Sequence, residues 1–136
     1  MAGHITILPW NYSSIGQGTW IILIDVSQIL NGTVYNSSIA NLDNISFKVF
    51  LDAGTYTLRL LAIKFSVGGI ADVDIDEVEV ASFDLYSAVT VYNSIVSQTG
   101  IVISTSGLKT LKLRLHGSTG GSYYCAISSI ALWRTA

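Results

Sequence analysis

Alternation of apolar and polar residues runs through most of this chain in short arms, and it follows a period of two, not a helical period. The clearest case is Gly69–Ser87. Val73 and Ile75 face one way on a first arm, and Val78 and Val80 face the same way on a second, so Asp76-Glu77 reads as the two-residue turn of a β-hairpin. That register sets Ile75 opposite Val78, Val73 opposite Val80 and Asp74 opposite Glu79. Like charges facing each other across a ladder repel. The polar face of this hairpin therefore either looks into water or is neutralised by a basic side chain or a cation.

The same reading extends along the chain. His4–Leu8 is a short β-type run ended by Pro9, whose missing N–H confines it to a strand end or a sheet edge. Trp10–Thr19 reads as a loop. Trp20–Val26 is apolar on both faces apart from Asp25, which predicts a central strand covered on both sides. Asn31–Asn44 is polar and turn-rich, with Asn31-Gly32 as a hairpin turn and Ser27–Leu30 open to a short helical turn. Ile45, Phe47, Val49 and Leu51 alternate with Ser46, Lys48 and Phe50 in a half-buried strand. After Asp52-Ala53-Gly54 comes Thr55–Phe65, expected to be its antiparallel neighbour because the connector is short. Val89–Val91 and Gly100–Thr105 are β-rich, Leu108–His116 presents leucines on one face and basic residues on the other, and Tyr123–Arg134 closes the chain after the flexible Gly117–Ser122.

No segment carries a helical period beyond about two turns, so the class is all-β. About eight to ten strands at this spacing predict an antiparallel β-sandwich of jelly-roll type, a single domain spanning 1–136. The expected core is Trp20, Ile22, Ile24, Phe47, Val49, Leu58, Leu60, Val73, Ile75, Val78, Val80, Leu111, Leu113, Ile130 and Leu132.

Composition changes the picture in one respect. Half of the residues are hydrophobic and 12% are charged, about half the usual charged share. So little charge gives weak protection against association, and a homo-oligomer is expected. Seven basic and nine acidic residues give a net charge of -2 with no basic stripe, which argues against nucleic acid and anionic membrane as partners. Cys125 is the single cysteine, so no intramolecular disulfide forms and no zinc spacing exists. The first ten residues lack the pattern of a signal peptide, and no apolar run reaches the roughly 20 residues of a membrane span. Sequons at Asn11, Asn31, Asn36 and Asn44 are expected to go unused without a secretory route.

Phe50–Leu60, Gly69–Ser87 and Ser106–Thr135 resemble successive blocks of galactose-binding-like jelly rolls, the architecture of many carbohydrate-binding modules. Similar blocks recur in virion fibre tips and decoration proteins. They cover about half of the chain and are packing signatures, and the turn is Asp76-Glu77 where that pattern usually offers Asp-Gly. The resemblance implies a jelly roll, a virion-surface or extracellular location and, from the fibre-tip relatives, a homotrimer.

Candidate chemistry follows from residue types. Trp10, Tyr12, Tyr35 and Tyr123 lie in or beside loops, where exposed rings stack on sugar faces, although capping the sandwich is the commoner use of such rings. Tyr92 is a further loop aromatic, whereas Trp20, Tyr56 and Trp133 fall inside strands and are expected in the core or an interface. Asp72, Asp74 and Glu79 supply carboxylates for Ca²⁺, with pairing to Lys112 or Arg114 as the alternative. His4, His116 and Cys125 form no catalytic pattern, so no enzyme is expected. The first expectation for function is a non-catalytic virion-surface structural or attachment protein that contacts itself and other virion proteins. The alternative is a carbohydrate-binding module that recognises glycans through its loop aromatics.

Overall fold

The computed structural model describes residues 4–23 and 32–136. Eleven strands are present among them: β1 (His4–Ile7), β2 (Ser14–Gln17), β3 (Trp20–Leu23), β4 (Thr33–Asn36), β5 (Asn44–Leu51), β6 (Gly54–Lys64), β7 (Ile70–Ile75), β8 (Val78–Asp84), β9 (Val91–Ile103), β10 (Gly107–Leu115) and β11 (Ala126–Arg134). One short 3-10 turn, Pro9–Asn11, sits between β1 and β2. The strands form two antiparallel sheets. The first runs β3-β4-β11-β6-β9 with β1 also on β11, and the second runs β2-β5-β10-β7-β8. This is the expected all-β jelly-roll sandwich.

Alternation explains the core. It turns Ile45, Phe47, Val49 and Leu51 of β5 and Leu111, Leu113 and Leu115 of β10 inward, where they meet Leu58 and Leu60 of β6 and Ile130 and Leu132 of β11 in one buried cluster. Burying each such side chain stabilises the fold by about 1.5–3 kcal/mol. Trp20, Val73 and Ile75 join the same cluster as expected.

Several expectations are corrected. Asp52-Ala53-Gly54 does not fold β6 back beside β5. The connector crosses from one sheet to the other, because β5 pairs with β10 and β2 while β6 pairs with β11 and β9. The Tyr56 hydroxyl donates to the Asp52 carbonyl at 2.8 Å and the Ala53 N–H donates to Ser106 Oγ at 2.8 Å, which fixes this crossing. Trp20–Leu23 is not a central strand: among the described residues β3 pairs only with β4, and Ile22, at 46% exposed, stays outside the core. Ile24, Asp25, Val26, Asn31 and the Ser27–Leu30 turn lie outside the described residues. Val78 is 63% exposed, beside the Asp76-Glu77 turn at the closed end of its hairpin. The two β-rich pieces after Ser87 overlap one long strand, β9, only at Val91 and Gly100–Ile103, with Val89, Thr90, Ser104 and Thr105 outside it, and β2 and β4 lie within stretches read as loop.

The hairpin itself keeps Ile75 opposite Val78 and Asp74 opposite Glu79. One residue further in, Val73 faces Ala81, so Val80 is the extra residue of a bulge and packs only partly on the core. Asp76 and Glu77 both adopt positive φ, 49° and 66°, the geometry of a type I′ turn whose twist matches the strands. Thr110 secures it by donating its N–H to Asp76 Oδ1 at 2.8 Å and accepting the Asp76 N–H at 2.9 Å.

A non-glycine residue pays in backbone strain at the second turn position, and the exposed Glu77–Lys112 pair at 3.0 Å returns little. Glu77→Gly is therefore expected to raise stability by about 0.5–1 kcal/mol, read as a higher denaturation midpoint at unchanged slope; a lower midpoint refutes the strain argument.

Candidate functional site

One end of the sandwich gathers the 3-10 turn, the end of β4, the Phe65–Gly69 connection, the β8–β9 connection and the β10–β11 loop. Tyr35 of β4 lies flat on Tyr124, with ring centres 5.4 Å apart and planes 10° from parallel. Phe65 meets Tyr124 edge-on at 4.9 Å. Backbone bonds fix the connection beneath these rings: the Gly69 N–H donates to the Tyr124 carbonyl at 2.8 Å, and the Tyr124 N–H to the Val67 carbonyl at 3.1 Å. Gly68 is required there, because a Cβ would collide with the Leu85 carbonyl. Tyr124 is half-buried, and burial, then the neighbouring Tyr35 and Cys125, push its phenol up to about 12.

A buried amide positions this pair. The Asn36 side chain donates to the Tyr123 carbonyl at 2.8 Å and accepts the Cys125 N–H at 2.8 Å, so it joins the strand end that carries Tyr35 to the segment that carries Tyr124. Its Nδ2 also donates to Asp43 Oδ2 at 2.9 Å. That carboxylate oxygen accepts in addition from Ser38 Oγ at 2.6 Å and from the Ala40 N–H at 3.0 Å. Asp43 is fully buried. Burial alone raises its pKa, but the bonds from Ser38, Ala40, Asn36 and Gln17 outweigh that and hold it below the ordinary value of 3.8. Asn36 is fully buried as well and spent in these bonds, so its sequon offers no accessible acceptor.

The expected aromatics separate. Tyr35 enters the stacked pair. Trp10 and Tyr123 are half-buried against the core, and Tyr12 is exposed. Among the described residues, no ring contact links Trp10, Tyr12 or Tyr123 to another aromatic ring. The partner of Tyr35 is Tyr124, which sequence reasoning passed over. Counting back by twos from the buried Ile130 points Tyr124 inward. The bulge between Ile127 and Ser129 reverses that parity, so Ile127, Cys125 and Tyr123 turn toward the core and Tyr124 turns out. Trp133, expected in the core or an interface, is half-buried on the outer face, under Arg59 at 4.9 Å and beside His4.

The acidic face has its own partner. Asp72 and Asp74 on β7 and Glu79 on β8 converge on Arg114 of β10, whose guanidinium lies 3.1 Å from Asp74 Oδ1 and 3.5 Å from both Asp72 and Glu79. His116 Nδ1 lies 3.1 Å from Asp72 Oδ2, and Ser82 Oγ donates to Asp72 Oδ1 at 2.6 Å. The hydrogen bond to Asp74, then the charges of Asp74, Asp72 and Glu79, raise the pKa of Arg114 against the opposing effect of burial. Lys112 pairs with Glu77 instead. Among the described residues, no three His, Cys, Asp or Glu side chains are disposed to hold a metal ion.

Cys125 is buried, which pushes its thiol far above the reactive range, so it offers no nucleophile. At the opposite end, an aliphatic cleft of about 290 Å³ opens between β8 and the end of β9, lined by Val78, Val80, Val102 and Lys109 among others and by no aromatic ring.

Solved structures that share this fold include carbohydrate-binding modules. The CBM36-1 domain of a multidomain xylanase from the hindgut metagenome of Trinervitermes trinervoides is 14% identical and superposes with a TM-score of 0.74 over 98% of this chain and 99% of that one. A CBM36 module in complex with calcium and xylotriose is 19% identical, with a TM-score of 0.69 over 95% and 98% of the two chains. The CBM6 module of Cellvibrio mixtus lichenase 5A in complex with cellotriose is 13% identical, with a TM-score of 0.67 over 97% and 98%. At such identities the likeness is one of fold. No protein-family model and no curated protein matches the sequence.

Two outcomes are expected from these networks. Arg114→Met leaves the nearly buried Asp72 and Asp74 without their cation, at a cost of about 2–3 kcal/mol; this is less than for a fully buried pair because Arg114 keeps 22% of its side chain in water. Chemical denaturation reads this directly, and a loss below about 0.5 kcal/mol refutes a structural role for the cluster. Asp43 has a folded pKa below its unfolded value, so its contribution is complete above about pH 5 and is lost as pH falls through the folded pKa. Melting curves from about pH 6 to pH 3 should therefore fall less steeply in Asp43→Asn than in the parent chain, and parallel slopes would contradict the assignment.

Proposed function

We propose that this domain is a non-catalytic carbohydrate-binding module whose glycan surface is the aromatic end of the sandwich. The observation that carries the proposal is the Tyr35–Tyr124 pair, two near-parallel phenols held half-buried by a dedicated buried amide. A pyranose ring presents C–H groups on its face and hydroxyls on its rim. Tyrosine rings provide an apolar plate for the face and phenol groups for the rim, at little cost in side-chain entropy. The adjoining loop adds polar groups: Ser118 Oγ is shielded from solvent without a hydrogen-bond partner, and Thr119 is bonded to Asp84. Trp10 and Tyr12, in and just after the 3-10 turn, are the further candidate rings of this proposal, whereas Tyr123 turns toward the core. The fold likeness to modules whose names include xylotriose and cellotriose makes β-linked neutral oligosaccharides the first ligands to test.

The virion-surface reading takes second place. It shares the jelly roll and draws on the low charge, but it gives no account of why an aromatic pair is braced at a loop end. An extracellular setting suits the preferred reading and remains part of the proposal.

Calcium accompanies one of the similar structures, and Asp72, Asp74 and Glu79 were its candidate ligands here. These carboxylates do not fit the role as arranged, because Arg114 sits among all three and Ser82 and His116 take up Asp72.

Calorimetric titration with xylotriose and cellotriose, backed by a glycan array, tests the proposal. Tyr35→Ala and Tyr124→Ala are each expected to weaken binding by about tenfold or more while the melting temperature changes little. Excess chelator should leave both binding and melting unchanged. Failure of the parent chain to bind any array glycan, or full binding by Tyr124→Ala, would sink the assignment.

A further inference from the structure

We infer that the aliphatic cleft at the end of the sandwich remote from the stacked tyrosines binds a short-chain aliphatic carboxylate, with Lys109 as the anchor for its head. Alternation sets up the site. β10 turns Leu111, Leu113 and Leu115 into the core, and counting back by two from Leu111 brings Lys109 to the same face. Its cross-strand neighbour is Val49, a core residue, and the register of β10 on β5 runs unbroken from Gly107 to Arg114. A lysine therefore stands where the strand pattern asks for an aliphatic residue, with 13% of its side chain exposed. An ammonium so placed needs acceptors, because burying a charge without close partners is costly. Those that it has are long. Lys109 Nζ donates to Thr105 Oγ1 at 3.5 Å and faces Asp76 Oδ2 at 3.7 Å, whereas a well-made N–H···O bond spans about 2.7–3.2 Å. Asp76 is also engaged elsewhere, since its Oδ1 accepts the Thr110 N–H at 2.8 Å.

The rest of the cleft selects the tail. Its volume of about 290 Å³ is at the small end for a ligand site, and Ile75, Val78, Val80 and Ile103 are among its lining residues. Val78 shares the inner face of its hairpin with Ile75 yet is 63% exposed, so it leaves apolar area in water that an alkyl chain would cover. Among the described lining residues Lys109 is the single cation and none is aromatic. That chemistry suits a monovalent head on an aliphatic tail, in place of a polyphosphate, an aryl group or a sugar face. A straight-chain carboxylate of about four to eight carbons meets both demands. Its head gives Lys109 the close charge-assisted bond that Thr105 and Asp76 do not, and its tail lies along the valines and isoleucines. The site lies at the other end of the domain from the proposed glycan surface and does not depend on that reading.

Titration of the isotopically labelled full chain with butanoate, hexanoate and octanoate, followed through its amide NMR shifts, tests this. The expected result is saturable shifts at Val78, Val80, Ile103 and Lys109, with a Kd for hexanoate of about 0.1–1 mM. Binding should tighten about threefold for each added methylene until the cleft is filled. Hexan-1-ol has the same tail without the charge and should bind about tenfold more weakly. Lys109→Met puts an apolar side chain at the core-facing position and should abolish that preference without lowering the melting temperature. Asp76→Asn keeps an Oδ1 acceptor for Thr110, removes the competing anion and should tighten hexanoate binding by about threefold. The proposal is overturned by the absence of saturable shifts at these residues, by hexan-1-ol binding as tightly as hexanoate, by a Lys109→Met chain that binds hexanoate like the parent, or by an Asp76→Asn chain that binds it more weakly.

Discussion

The amide of Asn36 sets the geometry on which the aromatic end depends. β4 and β11 are paired over only two residue positions, Tyr35–Ala126 and Val34–Ile127, too short a ladder to fix the segment before β11. Asn36 extends that junction with side-chain bonds to Tyr123 and Cys125, and its backbone N–H adds a bond to the Cys125 carbonyl at 3.3 Å. A buried amide that lost any of these partners would incur the full desolvation cost of an unmet polar group, so the arrangement tolerates little displacement. Asp43 completes it by accepting the remaining Asn36 donor and turning the Ser38–Asp43 loop around its own carboxylate. The stacked tyrosines are held in place through this network, which keeps their geometry pre-organised.

Charge is scarce in this chain, and much of it is committed. Arg114 serves three carboxylates, Lys112 serves Glu77, and Lys109 reaches Asp76 at 3.7 Å. All of these lie on the outer face or the turn of the β5-β10-β7-β8 sheet. The other sheet presents Ile21, Leu23, Ile95 and Val102 outward, with Arg59 laid over Trp133. The two faces of the sandwich therefore have different chemistry: one is knit by ion pairs, while the other is largely aliphatic. An aromatic end and a charged face occupy separate parts of one small domain.

Local alternation determined much of this protein. The class, the inward faces of β5, β6, β7, β10 and β11, the Asp76-Glu77 turn and the opposition of Asp74 to Glu79 all follow from a period of two, because side chains on a pleated strand cannot do otherwise. Sequence alone also posed the right question about the acidic face, that something must neutralise it, and named Arg114 among the answers. Tertiary structure decided what alternation cannot carry across an irregularity. Which sheet receives β6 after a two-residue connector depends on where β10 and β11 dock, and β3 is an edge because, among the described residues, it pairs only with β4. The choice of Tyr124 over Tyr123 as the partner of Tyr35 hinges on one extra residue near Ser128, and a bulge is a long-range packing decision that reverses every side chain beyond it while leaving the local pattern of residues unchanged.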